Sequence, residues 1–267
     1  MAKPASAKAF IFIAYFAILP LAAATALLFP QPAATRPETA QGGDYLEALL
    51  ACYPNMFIMQ DTNTIIWNDG DIQSIDDGEL KDFETMLIKA DIADQFSIPY
   101  PAGAAAAPPA RNQDPGRIRN TAFFKKLYGN NAADVQASLK PLLWMPGVFD
   151  RTILFNTRCG AWDSLKKVSE ELAALPARFH VYLENIGGTY AWRPIQGTDR
   201  LSPHSFGIAI DINTAYSHYW LWDATYQYQN KIPMEIVEIF EKHGFIWGGR
   251  WYHYDTMHFE YRPELLW

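Results

Sequence analysis

The sequence predicts an α+β fold: a small antiparallel sheet with packed helices, preceded by an N-terminal extension. Three observations carry this expectation. Residues 163–175 and 233–243 show amphipathic helical spacing. Residues 208–212 and 257–261 are short runs of strand character, the first apolar and the second alternating. Hydrophobic residues make up 49% of the 267 and aromatics 15%, enough to bury a sizeable core.

Residues 9–29 form an uncharged apolar run behind Lys3 and Lys8, the pattern of an export signal. The run is long enough to span a bilayer. It serves either as a cleaved signal, with Ala24-Thr25-Ala26 as the cleavage site, or as a retained anchor in the cytoplasmic membrane. No cysteine directly follows it, which excludes a lipoprotein anchor. Residues 30–43 are rich in Pro, Ala, Thr and Gly and read as a linker. Residues 1–43 are therefore signal or anchor plus linker, and the expected location is exported, in the periplasm or cell envelope. In that compartment Cys52 and Cys159 either pair as one disulfide or stay two buried thiols.

Residues 44–150 read as an accessory region. Residues 56–59 and 64–67 look like paired strands ahead of the turn Asn68-Asp69-Gly70. Residues 80–96 have helical spacing, with Leu80, Phe83, Leu87 and Ile88 on one side. Residues 99–109 form an exposed Ala/Pro/Gly loop. Asp114-Pro115-Gly116-Arg117-Ile118-Arg119-Asn120 is a turn with solvated arginines, leading into a short helix over 123–128.

Residues 151–267 read as the catalytic domain. The helix over 163–175 is closed by Pro176; a strand follows over 179–183, then a turn at Gly187-Gly188. The helix over 233–243 has Pro233 in its first turn, Glu235 early, Lys242 late and Gly244 as its stop. The net charge of −7, with no basic run past the first residues, argues against a nucleic-acid partner, because phosphate binding needs clustered Lys and Arg.

Two segments carry the chemistry: Ser202-Pro203-His204-Ser205-Phe206-Gly207-Ile208-Ala209-Ile210-Asp211 and Trp251-Tyr252-His253-Tyr254-Asp255-Thr256-Met257-His258-Phe259-Glu260. His204, Asp211 and His258 suit the ligands of a zinc ion (Zn2+) that keeps a fourth position open for reaction. The odd separation of His204 and Asp211 would put them on opposite faces of a regular strand, so the backbone must turn between them, and Gly207 is where it can. Asp255 suits a general base on a zinc-bound water, and His253 a donor to the developing oxyanion. Glu260 either orients His258 or is a surface carboxylate on the last strand.

These segments resemble the zinc peptidases that cut bacterial cell-wall peptides, metallopeptidase family fifteen. It includes D-alanyl-D-alanine carboxypeptidases and dipeptidases, and L-alanyl-D-glutamate endopeptidases such as phage endolysins. Ser202, His204, Gly207, Ala209 and Asp211 match the pattern Ser-x-His-x-x-Gly-x-Ala-x-Asp, and Asp255 and His258 match Asp-x-x-His. His253 matches the histidine that assists the transition state. The resemblance implies hydrolysis of peptidoglycan stem peptides, by L,D-endopeptidase or D,D-carboxypeptidase action. It also implies an arginine clamp on substrate: Arg193 is the first choice and Arg200 the fallback, with Ser202 a further substrate-binding candidate. The alternative is an inactive wall-binding or signalling module on the same fold.

Outside the motifs, His180, His218 and His243 read as structural. Tyr216, Tyr219, Trp220 and Trp222 around His218 read as core packing, with a wall of the substrate cleft as the alternative. The turn from Trp247 to Trp251 supports the second motif.

Overall fold

In the computed structural model, which describes residues 44–222 and 225–267, the first element is helix α1 (Asp44–Cys52). The expected signal or anchor and linker, residues 1–43, lie outside the described residues. A meander follows: β1 (Phe57–Asp61), β2 (Thr64–Trp67) and β3 (Ile72–Ser74), all antiparallel. The first two strands fall where the alternation placed them; β3 is additional.

Residues 80–96 do not form one helix. Helix α2 (Phe83–Lys89) starts at an Asp82 cap that accepts the Thr85 N–H and ends at Ala90, whose ψ of 136° is extended. A 3-10 turn, Ala93–Phe96, follows. Asp91 and Asp94 each accept the other's backbone N–H, at 2.7 and 3.0 Å, and both bind Lys81. These local bonds replace continuation of the helix. Leu80 and Ile88 are accordingly 73% and 74% exposed rather than on a buried face.

Helix α3 (Thr121–Tyr128), capped by Asn120, buries Phe123, Phe124, Leu127 and Tyr128. Helix α4 (Ala132–Ser138) leads into a hairpin of β4 (Leu139–Trp144) and β5 (Arg151–Asn156). Pro141 is tolerated in β4 because this two-stranded sheet offers it an edge. Helix α5 (Ala161–Ala173) lays Ala161, Leu165, Val168 and Leu172 on the hairpin, as its spacing requires.

Residues 179–183 are not a strand: after Pro176 the chain takes a 3-10 turn, Ala177–Tyr182, closed by the Leu183 N–H on the His180 carbonyl. Gly187-Gly188 is not a turn but part of strand β6 (Ile186–Gly188). A Cβ on Gly187 would lie 3.1 Å from that of Asp211, so glycine lets β6 lie close against its neighbour. The remaining elements are β7 (Ala209–Asn213), α6 (Met234–Lys242), β8 (Phe245–Trp247) and β9 (His258–Tyr261). They complete an antiparallel sheet in the order β6-β7-β9-β8. The fold is the expected α+β arrangement of small antiparallel sheets and packed helices.

A continuous hydrophobic core joins the regions before and after residue 150. Phe57, Trp67, Phe123 and Phe124 belong to the same cluster as Phe155, Leu165, Ile210, Phe240 and Phe259. Polar ties reinforce it. The Tyr53 hydroxyl donates to Glu264 at 2.6 Å, and Trp251 Nε1–H donates to the Pro115 carbonyl at 2.6 Å. Cys52 and Cys159 are free thiols, each pushed up to about 12 by burial and then by the charge of nearby Glu264 or, for Cys159, against a lowering from Arg158. Among the described residues no helix is long and apolar enough to cross a membrane.

Arg262 is the electrostatic hinge between the Gly116 turn and β9. Fully buried, it binds Glu264, Glu260 at 3.2 Å and the Gly116 carbonyl at 2.9 Å, and lies over the Phe124 ring. Arg262→Leu leaves two buried carboxylates short of their cation, so urea unfolding is expected to show a loss of about 3–5 kcal/mol. An unchanged midpoint would mean that the network contributes nothing net.

Candidate metal centre and active site

His204 sits on a 3-10 turn, Pro203–Phe206. Ser202 starts the turn by accepting the His204 N–H at 3.3 Å, and Gly207 ends it at φ 66°. A Cβ at Gly207 would come 2.6 Å from Leu139, so both the conformation and the space demand glycine. The backbone break anticipated between His204 and Asp211 is this turn. Asp211 lies in mid-β7 directly opposite His258, the first residue of β9. The strand pairing alone therefore brings carboxylate and imidazole together.

The converging atoms are His204 Nε2, Asp211 Oδ1 and His258 Nδ1. They stand 3.1 Å (His204–Asp211), 3.2 Å (His204–His258) and 3.0 Å (His258–Asp211) apart. The outer nitrogens fix the tautomers. His204 Nδ1–H donates to the Thr189 carbonyl at 2.9 Å, and His258 Nε2–H donates to Glu260 at 3.0 Å. Both acceptors lack a proton to give, so each ring, when neutral, would turn a lone pair toward the same point as a carboxylate oxygen. That donor set fits a divalent cation, and of the two readings of Glu260 the buried partner of His258 is the one found, not the surface carboxylate. Glu260 is itself fully buried and tied to Arg119 at 3.4 Å and to Arg262.

The electrostatics follow from this crowding. Burial disfavours a charged His258, but hydrogen bonds to Asp211 and Glu260 outweigh it and raise the ring to about 10 without a cation. Burial would also raise Asp211, yet His204 and His258 hold its carboxyl far below the usual range. A second carboxylate group, Asp76, Asp77 and Asp91, differs in kind: the Lys81 ammonium already lies 2.6 Å from Asp77 and 3.0 Å from Asp91.

A cavity of about 250 Å³ opens over the three candidate ligands, and Asp255 and His253 line it. Asp255 is anchored by its backbone, its N–H donating to the Gly248 carbonyl at 3.0 Å and its carbonyl accepting from His258 at 3.1 Å. A Cβ at Gly248 would lie 2.4 Å from that Asp255 carbonyl, which is why the glycine turn precedes the motif. Asp255 Oδ1 is buried without a hydrogen-bond partner. Burial, then the charge of Asp211, pushes this carboxyl up to about 7, which suits a group that takes and returns a proton.

His253 is boxed in. Phe83 stacks on it at 6.3 Å between centroids, Trp220 meets it edge-on at 4.6 Å, and Asp114 Oδ2 accepts its Nδ1–H at 2.7 Å. Asp114 and the arginines near it do not form the solvated turn that their composition predicts. Asp114 is fully buried, and Arg117 and Arg119 line the cavity. The only signal in the sequence was the cluster itself, since its partner His253 lies 139 residues away. Tyr219, Trp220 and Trp222 also line the cavity and form a cleft wall, Trp222 being 61% exposed, whereas Tyr216 packs edge-on against Tyr182 at 5.1 Å. Arg193 and Ser202 lie in the lining as expected. Arg200 does not: its Nη1–H donates to the Arg117 carbonyl at 3.0 Å, outside the lining. His180 and His243 are structural, bonded to the Leu175 carbonyl and to Glu171.

An antiparallel sheet brings two histidines and a carboxylate together as a group that could hold a metal ion, with the Asp255 carboxyl in the same cavity. Residues 196–261 match the family model described as D-alanyl-D-alanine carboxypeptidase. This segment gives the chain a peptidase-family region and bears out the resemblance read from its motifs. It contains every candidate ligand together with His253 and Asp255, but not Arg193, Asp114, Arg117 or Arg119. Comparison with curated proteins and with solved structures gives no match.

Proposed function

We propose that the chain is an exported zinc peptidase that hydrolyses peptide bonds in peptidoglycan stem peptides, as a D,D-carboxypeptidase or an L,D-endopeptidase. The observation that carries this is the convergence of His204, Asp211 and His258 on one point in the cavity that Asp255 lines. Two imidazoles and one carboxylate suit zinc with an open position. When bound, zinc supplies Lewis-acid chemistry, acidifying water and polarising an amide carbonyl.

The chain's own residues do the rest. Asp255 takes a proton from the attacking water and returns it to the leaving amine as the C–N bond breaks and the C–O bond forms. His253 donates to the oxygen on which negative charge develops. Arg193, exposed at the rim, and Arg117, which lines the cavity and is ion-paired with Asp114 at 3.4 Å, hold a substrate carboxylate. Arg200 supports Arg117 through its carbonyl rather than touching substrate. Ser202 borders the substrate from the turn that carries His204. Export, by a signal or anchor over residues 9–29, agrees with a substrate that lies outside the cytoplasm.

The test is mass spectrometry of peptidoglycan fragments digested by the full chain with zinc or with chelator. Zinc-dependent loss of a terminal D-Ala identifies the carboxypeptidase, and a cut after L-Ala the endopeptidase. No cleavage by a folded, zinc-loaded sample sinks the proposal.

A further inference from the structure

The carboxylate of Asp114 makes two bonds to one residue: Oδ1 accepts the His253 backbone N–H at 2.9 Å and Oδ2 accepts Nδ1–H at 2.7 Å. It is fully buried, and it is also ion-paired with Arg117, whose Nη1 stands 3.4 Å from Oδ2. Backbone and ring of His253 are thus held by the same group, so the carboxylate fixes both where the residue sits and how its ring is turned. A carboxylate only accepts, so the proton on Nδ1 is dictated and Nε2 remains as the ring's other polar atom. Phe83, stacked at 6.3 Å between centroids, and Trp220, edge-on at 4.6 Å, flank the ring.

We propose that Asp114 is a positioning residue for the reaction: it orients His253 and holds a proton on Nδ1, so that Nε2 is the atom presented to substrate, a donor to the oxyanion when the ring carries its second proton. The inference rests on the peptidase reading for its kinetic consequence, but not for the tautomer. It also gives a purpose to the turn before α3, which lies outside the segment matching the peptidase family. The carboxylate–imidazole pair supplies from a distant segment what serine hydrolases obtain from the third member of their triad. The same carboxylate, through Arg117, lines up a second cavity group with the first.

The experiment is a double-mutant cycle on the zinc-loaded full chain with a stem pentapeptide ending in D-Ala-D-Ala: Asp114→Asn, His253→Ala and both together. Asp114→Asn is expected to lower kcat about 10–100-fold with little change in KM and with zinc content intact, the range found when a supporting carboxylate is lost. In the His253→Ala background the same change is expected to cost under about 2-fold, because the route through the imidazole is gone. Equal losses in both backgrounds, or no loss in the parent, would overturn the assignment. An independent reading needs no variant of Asp114: 15N-histidine NMR of the unmutated chain, with His253→Ala for assignment, should place a proton on Nδ1 of His253. A neutral ring protonated at Nε2 alone refutes the proposal even if Asp114→Asn fails to fold. Should the pentapeptide resist the parent enzyme, the peptidase reading fails while the NMR result still decides the pairing.

Discussion

Asp255→Asn is expected to bind zinc within about tenfold of the parent and to lose a factor of roughly 100–10,000 in kcat, the usual contribution of a positioned acid–base group. The substitution keeps the shape of the side chain and the backbone bonds to Gly248 and His258, so the three candidate ligands are undisturbed. What disappears is the carboxyl that, among the described residues lining the cavity, has its Oδ1 buried without a hydrogen-bond partner. His204→Ala or His258→Ala should differ by losing the metal along with the activity, measured as bound zinc per chain. The pH profile supplies a further check. Burial and the charge of Asp211 raise Asp255 to about 7 without a cation, and a bound cation pulls it back down. The base works when deprotonated, so kcat/KM should fall tenfold per unit as pH drops below a pKa lying under 7. A parent-like rate for Asp255→Asn would remove it from the mechanism.

Metal binding should release about one proton from His258, and apparent zinc affinity should rise about tenfold per pH unit between pH 7 and pH 10. Without the cation, Asp211 and Glu260 flank the ring and raise it to about 10, so it carries a proton where the metal would bind. Zinc must displace that proton. Calorimetry in buffers of different ionisation enthalpy measures the release, and a pH-independent affinity would contradict it. The metal-free protein should show the complementary trend. The raised His258 pKa contributes stability that is fully present below the unfolded value of about 6.5 and is lost as pH rises through about 10. Chelator-treated protein should therefore melt at lower temperature as pH climbs across that window, apart from other titrations.

The candidate site was legible because its candidate ligands come in short local patterns. The odd spacing of His204 and Asp211 demanded a backbone break, and Gly207 at φ 66° provides it. The alternation after Met257 put His258 and Glu260 on one face, where they meet at 3.0 Å. Helices with complete punctuation were also readable, as at Pro233 and Gly244 around α6. What was hidden depends on partners far along the chain. Asp114 looks like any turn aspartate until His253 is folded onto it. Hairpin β4–β5 carries a proline in its first strand and was not recognised. Gly187-Gly188 resembles a turn by composition, yet close approach to Asp211 makes it an edge strand. Residues 80–96 carried a helical pattern that Asp91 and Asp94 interrupt through side-chain bonds no periodicity records.

The strand order has a consequence for biosynthesis. β9 leaves the ribosome after β6, β7 and β8, yet it belongs between β7 and β8. Until it emerges, Asp211 has no facing histidine and β8 has no neighbour to pair with. A nascent chain stopped short of His258 therefore lacks a ligand and an assembled sheet at once. Assembly of the sheet, and with it of the candidate metal centre, is therefore tied to completion of the last motif.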